Sequence, residues 1–354
     1  MRILHVISGI SPKSGGPTRS VKGLCRGLSL AGVDVTLLVL HGNDEFDNPC
    51  GVNVVYEKIS DIKNFDLVHL HGLWDPGLHK VVKACRKEDV KYVISPRGML
   101  DPWALSVKRW KKIIALWLYQ RRDLLGATAF HATAQAEAIH INDAGFKKPC
   151  IIAPNAVDVP KDLPARKIKS DVRTVIFLSR LHLGKGLLTL AEAWARVKPK
   201  GWRMLVVGPD SYGHKKEVIS TIEELGIANQ WEFHEAMDDT EKWVAYRSAD
   251  LLVHPSVSEN FGITIAEGLA AELPVITTKG TPWGELEKHK CGWWIDIGVD
   301  SLAKALKEAI EKEDDKLREI GKRGRKLVEE KYTWDAVCSV MIDGYKDVLN
   351  RGIH

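Results

Sequence analysis

The chain has 354 residues, 45% of them hydrophobic and 27% charged, which is enough for two domains, and no run of roughly 18 apolar residues offers a membrane span. A formal charge of +5, from 51 basic and 46 acidic side chains, is too small for a nucleic-acid protein but admits phosphate-bearing ligands. The six cysteines, Cys25, Cys50, Cys85, Cys150, Cys291 and Cys338, contain no C-x-x-C pair and signal neither a zinc site nor a disulfide framework, which fits reduced thiols in a cytoplasmic protein.

The opening "MRILHVISGIS" meets Ser8, Gly9 and Pro12 too early for a secretory signal and reads as a first strand. Next comes "PKSGGPTRS", where Gly15 and Gly16 precede Pro17. Two readings stay open: a tight turn, or exposed amides at a helix start that cradle an anion. The runs "VDVTLLVL", "NVVYE", "DLVHLHG", "YVISPRG", "ATAFHATA" and "CIIAPNAVD" follow, each short, apolar and bounded by Gly, Pro, Asn or Asp. They have the length of buried parallel strands, with helices between them. His71, Arg97 and His131 fall at predicted strand ends, where an open α/β sheet binds ligands. His69 lies on the same strand face as His71 but deeper and reads as structural.

Within this half, "DPWALSVKRWKKIIALWLYQRRDLL" (101–125) sets Trp110, Ile113, Ile114, Trp117 and Leu118 at helical spacing. Lys108, Arg109, Lys111, Lys112, Arg121 and Arg122 flank them. The stripe fits peripheral contact with an anionic membrane, and it fits equally a helix packed on its own sheet.

Residues 160–172, with two prolines and several charges, read as a linker. The strand rhythm then resumes in "TVIFLSR", "RMLVVGP", "WEFHEA", "ADLLVHPS", "LPVITT" and "GWWIDI", and residues 301–354 are helical in character. No G-x-G-x-x-G follows any strand, which weakens a dinucleotide oxidoreductase reading. Arg180 and Lys185 follow the first of these runs and suit a diphosphate, Arg as a fork and Lys as a point charge. In "HPSVSENFGITIAEGL", Glu259 is predicted in a loop and Glu267 about one turn inside the next helix. Ionised carboxylates at those places accept hydrogen bonds from sugar or ribose hydroxyls; taken alone, they also fit a surface acid and a local ion pair.

Taken together, "SENFGITIAEGLAAELPVITT", "LSRLHLGKGL", "HATAQAEA", "PNAVD" and the Gly-Gly loop resemble the retaining glycosyltransferases of family 4, over nearly the whole chain and in the family order. Ala156 departs from the usual glycine of the "PNAVD" stretch. The resemblance implies an α/β GT-B fold: two Rossmann-like, doubly wound parallel-sheet domains facing across a cleft. It implies an acceptor domain at 1–165, a donor domain at 166–330, and a C-terminal helix at 331–354 returning to the first domain.

By position, the resemblance makes His131, Glu259, Arg180 and Lys185 the catalytic set. Gly16, Arg180, Lys185, Glu259, Asn260, Phe261, Gly262, Ile263 and Glu267 become donor-binding, with His71 and Arg97 on the acceptor side. It implies no cofactor and no metal; a UDP- or GDP-type sugar is the donor substrate, and a D-x-D triplet is absent from the sequence. The implied partners are that donor and a glycan or lipid-linked acceptor, in cell-surface polysaccharide, lipopolysaccharide or glycolipid assembly, without nucleic acid. Rival readings are a nucleotide-sugar epimerase, a phosphorylase, and a non-catalytic sugar-nucleotide binding protein.

Overall fold

The structure, a computed structural model, describes residues 1–10, 16–42, 51–57, 61–107, 109–160, 162–166 and 171–351. The chain divides into two compact units, Met1–Asp158 with Thr333–His354, and Val159–Tyr332. Every run marked above as a strand is one.

In the first unit, strands β1 (Arg2–Gly9), β2 (Asp34–His41), β3 (Asn53–Tyr56), β4 (Leu67–His71), β5 (Tyr92–Ser95), β6 (Ala129–Ala132) and β7 (Cys150–Ile152) make one sheet in the order β3-β2-β1-β4-β5-β6-β7. All pairs are parallel. Parallel pairing needs crossovers that cover both faces, so β4 is buried at every position instead of alternating. Ile3, Ile7, Leu37 and Leu67 pack with Leu24 and Leu28 of the helix Gly16–Leu30 and with Met341 of the helix Trp334–Asn350. Leu4, Val6, Val68 and Leu70 face Leu78, Val82 and Cys85 of the helix Pro76–Lys87. Each such buried side chain contributes roughly 1.5–3 kcal/mol. The last helix can dock because Gly23 leaves room: a Cβ there would lie 1.9 Å from a ring carbon of Trp334.

The second unit repeats the plan with β8 (Arg173–Leu178), β9 (Trp202–Val207), β10 (Trp231–His234), β11 (Leu251–His254), β12 (Val275–Thr278) and β13 (Gly292–Ile295). Its order is β10-β9-β8-β11-β12-β13, again all parallel. Phe177, Leu190, Trp194, Met204, Leu302 and Leu306 share its core. The strand order reverses beside β1 in the first sheet and beside β8 in the second, and open α/β sheets bind ligands at the carboxyl ends of the strands at such points.

The 101–125 segment is broken into the helices Pro102–Ser106 and Arg109–Ala115, a π-helical turn Leu116–Gln120, and the helix Arg121–Gly126. Its apolar stripe does not pack on the sheet: Trp110 is 63% and Trp117 84% exposed. Among the described residues, no helix is long and apolar enough to cross a membrane.

Candidate active site

At the end of β8, Arg180 is exposed, and the chain turns through a 3-10 turn, Leu183–Lys185, into the helix Leu187–Val197. The turn closes at Gly186, whose φ of +75° favours glycine and whose place would put a Cβ 2.2 Å from the carbonyl oxygen of Pro255. This close approach lets the loops after β8 and β11 stitch together. The amide of Val257 and the hydroxyl of Ser256 both donate to the Gly184 carbonyl, at 2.9 and 3.0 Å. On the other side the amide of Glu259 donates to the Gly280 carbonyl at 2.8 Å. The Glu259 loop is therefore pinned from both flanks.

One carboxylate oxygen of Glu259 accepts from Lys185 Nζ and, at 3.0 Å, from His254 Nε2. Burial would raise the proton affinity of this group, but the His254 hydrogen bond and the Lys185 charge outweigh it and hold its pKa at about 2. Glu259 is thus an ionised acceptor, and its side chain keeps 16% exposure. Asn260 and Phe261 lead to Gly262, whose φ of +79° starts the helix Ile263–Ala270. The indole of Trp283 donates to the Phe261 carbonyl at 2.5 Å and fixes that approach. A helix start leaves its first amides outside the helical ladder, available to an anion.

Glu267 sits inside that helix and is buried. Lys242 Nζ donates to one of its oxygens at 2.8 Å and Tyr246 Oη to the other at 3.0 Å. A carboxylate has about four lone-pair positions, so acceptor capacity remains on both oxygens.

In the first unit, strand register brings His5 beside His69 and Ile7 beside His71. An arginine only donates, so His71 Nδ1 accepts from Arg97 Nη2 at 3.0 Å and His71 Nε2 must carry the hydrogen that reaches His5 Nδ1 at 2.9 Å. His131 Nε2 donates to the Ala153 carbonyl at 2.9 Å. Its Nδ1 therefore accepts from His69 Nε2 at 3.3 Å, and His69 Nδ1 accepts from Tyr345 Oη at 2.6 Å. All four rings are buried and neutral. Burial first, then the Arg97 charge, lowers His131 and His5 to about 3, and burial drives His69 and His71 well below the usual range. His5, His69 and His71 have ligating atoms within 4.8 Å of one another, but these hydrogen bonds leave no free lone pair for an ion.

Arg97 itself has φ of +56°, a left-handed conformation that is strained for an arginine. Its Nη1 donates to Ser20 Oγ at 2.8 Å and Asn155 Oδ1 at 3.2 Å, while Nε is buried without a partner. Glu137 steadies the adjoining loop by accepting from the Gly98 amide at 2.6 Å and the Thr133 amide at 2.8 Å.

The structure thus joins Lys185 to Glu259 and sets Asn260, Phe261, Gly262 and Ile263 in sequence at one helix start. Glu267 lies deeper in the same element. His71 and Arg97 touch each other, whereas His131 and His71 each spend both ring nitrogens on protein groups. Gly16 opens the first long helix, and the Gly-Gly loop before it (11–15) lies outside the described residues. Sequence reasoning missed His254, Lys242 and Tyr246. His254 was visible at a strand end, but nothing local pointed to Lys242 and Tyr246, which stand 25 and 21 residues from Glu267.

Comparison with known proteins agrees with this layout. The family described as Glycosyltransferase Family 4 matches residues 14–161, and Glycosyl transferases group 1 matches 158–327. A D-inositol 3-phosphate glycosyltransferase of Segniliparus rotundus is 29% identical over 238 residues, covering 62% of this chain and 52% of that protein. The chain spans about half the length of such relatives. Sucrose-phosphate synthase from Thermosynechococcus elongatus has the same fold, with a TM-score of 0.80 at 17% identity and 98% and 99% of the two chains covered. HepE of Anabaena, solved with UDP and glucose, gives 0.77 at 19% identity with 98% and 100% covered. From both halves together, the chain belongs to the family 4 glycosyltransferases and has the GT-B fold.

Proposed function

We propose that the protein is a retaining, metal-independent glycosyltransferase that moves a hexosyl group from a UDP- or GDP-type sugar to a hydroxyl of a glycan or lipid-linked acceptor. The observation that carries this reading is the Lys185–Glu259 pair beside the start of the helix Ile263–Ala270, at the strand-order reversal of the second sheet. Cation, ionised acceptor and helix amides are what a sugar diphosphate asks of a protein.

In this reading Lys185, Arg180 and the amides from Gly262 onward take the diphosphate, and Gly16 is assigned to donor binding by the family resemblance. Glu259, with Asn260 and Phe261 in its loop, receives sugar hydroxyls, and Glu267 receives the ribose hydroxyls. The acceptor oxygen forms a bond to the anomeric carbon as the bond to the diphosphate oxygen breaks. The departing diphosphate takes the acceptor proton on the same face, which keeps the anomeric configuration. Negative charge grows on the phosphates, where preorganised donors lower the barrier. His71 and Arg97 are assigned to the acceptor side, Arg97 as a cation already fixed in place. His131, whose ring is engaged inside the protein, acts by holding His69, whose ring packs against the His71 ring that orients Arg97.

The relatives named above support a nucleotide-sugar donor: HepE was solved with UDP and glucose, and an inositol phosphate glycosyltransferase is among the sequence matches. A thermal-shift panel of nucleoside diphosphates and their sugars tests the reading. One nucleotide class should raise the melting temperature in the wild type and not in Lys185→Ala. No shift with any member would remove the donor assignment, and inverted product stereochemistry by proton NMR would remove retention.

A further inference from the structure

We propose that residues 109–125 dock the first unit on an anionic lipid surface, with the apolar stripe inserted and the basic flanks against headgroups. The helix Arg109–Ala115 has no buried residue, and Trp110, Ile113, Ile114, Trp117 and Leu118 are 63%, 53%, 48%, 84% and 63% exposed. A folded protein rarely turns five large apolar side chains outward at helical spacing without something to cover them.

The side of this segment fixed to the body is a different one: Leu124 is buried in the first unit's core, Leu116 packs against it, and hydrogen bonds flank them. Gln120 accepts from the Trp74 amide at 2.7 Å, and Tyr119 Oη donates to the Trp74 carbonyl at 2.6 Å. Asp123, 2% exposed, is held by His79 Nδ1 at 2.9 Å, and Arg122 offers its carbonyl to Arg86. An inward apolar contact is ordinary for a surface helix; here the segment carries a second apolar stripe that points outward.

Charge selects the occupant. Residues 102–122 contain Lys108, Arg109, Lys111, Lys112, Arg121 and Arg122 and no acid. A second copy of the chain meeting this face through a two-fold axis would set like charges against one another. An anionic bilayer accepts both halves of the pattern: tryptophan rings settle at the interfacial level, and long basic side chains reach up to the phosphates. The anchor at Trp74 then ties the docked segment to the loop after β4, which begins just beyond His71. Membrane docking stands independently of the transfer reaction.

Co-sedimentation of the full chain with vesicles of phosphatidylcholine alone, or with phosphatidylglycerol added, tests it. Binding should be confined to the anionic vesicles, weaken with salt, and fall about fivefold for each cation neutralised, as in Lys111→Gln or Arg121→Gln. Trp110→Ser with Trp117→Ser should lower partitioning at least about tenfold while leaving the nucleotide thermal shift intact, which shows that the variant is folded. The inference is overturned if wild type ignores anionic vesicles, or if the tryptophan variant binds them equally well. It is also overturned if sedimentation velocity finds a self-association that the same variant abolishes.

Discussion

Lys185 and Glu259 lie 74 residues apart in the chain and form an ion pair that joins the loops after β8 and β11, with His254 donating to the same carboxylate oxygen. The pair is partly open, at 17% and 16% side-chain exposure, so it is placed to exchange one partner for a ligand. A donor diphosphate would draw Lys185 away and leave Glu259 as an acceptor for sugar hydroxyls. Lys185→Ala and Glu259→Ala are each expected to cut turnover at least about a hundredfold, as the loss of one preorganised donor does at other developing oxyanions. Released nucleotide, measured against time with the donor named by the thermal-shift panel, checks this. Near wild-type rates in both variants would take the pair out of the reaction.

Glu267 and Lys242 are a buried pair, at 6% and 8% exposure, so the stability of the free protein tests their contact without any activity measurement. Removing one member strands a charge in a poor solvent for it. Lys242→Met should cost about 3–5 kcal/mol, and Tyr246→Phe, which removes one hydrogen bond to the carboxylate, about 1.5–3 kcal/mol. Lys242→Met combined with Glu267→Leu should recover most of the loss, because no buried unpaired charge then remains and Asp239, the other partner of Lys242, is exposed. Urea unfolding gives all three numbers; a Lys242→Met protein as stable as wild type would mean that Glu267 does not depend on this partner.

The alternation of apolar runs and helical stretches was legible from sequence because buried parallel strands must be apolar on both faces, and each run marked from composition alone became a strand. Arg180 with Lys185, and Glu259, were legible as residues of the loops after β8 and β11 because ligand groups in doubly wound sheets follow strand ends. Pairings across the sheet were not legible. That Tyr345 meets His69, or that Lys242 meets Glu267, depends on which strands neighbour which, and no local spacing encodes it. The 101–125 segment shows the same limit. Its periodicity identified the apolar stripe, but inward or outward facing was decided by the anchors from Tyr119 and Gln120 to Trp74 and from Asp123 to His79, all distant in sequence.

The histidine chain makes the protein acid-sensitive in a direction that follows from burial. His5 and His131 are held at about 3 and His69 and His71 well below their usual value. In the unfolded chain each would protonate near its ordinary value of about 6.5. The unfolded state then binds more protons, so the stability these groups allow is full above about pH 6.5 and is lost as pH falls toward their folded values. Each ring should contribute a slope of about 1.4 kcal/mol per pH unit in that window. Urea unfolding at several pH values measures the slope, and His131→Gln should reduce it by about one ring's share. An unchanged slope would mean that His131 is already protonated in the folded protein.

Gly186 offers a test of loop geometry that leaves every charged group in place. Its φ of +75° disfavours other residues, and a Cβ would fall 2.2 Å from the Pro255 carbonyl oxygen, which is backbone and cannot rotate aside. Gly186→Ala must therefore push apart the loops that the Gly184 carbonyl now joins to Ser256 and Val257. Since Lys185 precedes this glycine and Glu259 follows that loop, the ion pair should open while the sheet beneath, with Phe177, Leu190 and Trp194 in its core, stays folded. The expected outcome is a nucleotide affinity lowered at least about tenfold, with a cost in stability of about 1–3 kcal/mol. Isothermal titration of the nucleotide beside urea unfolding separates the two effects. Full affinity in a folded Gly186→Ala protein would show that donor binding does not depend on the stitched loops.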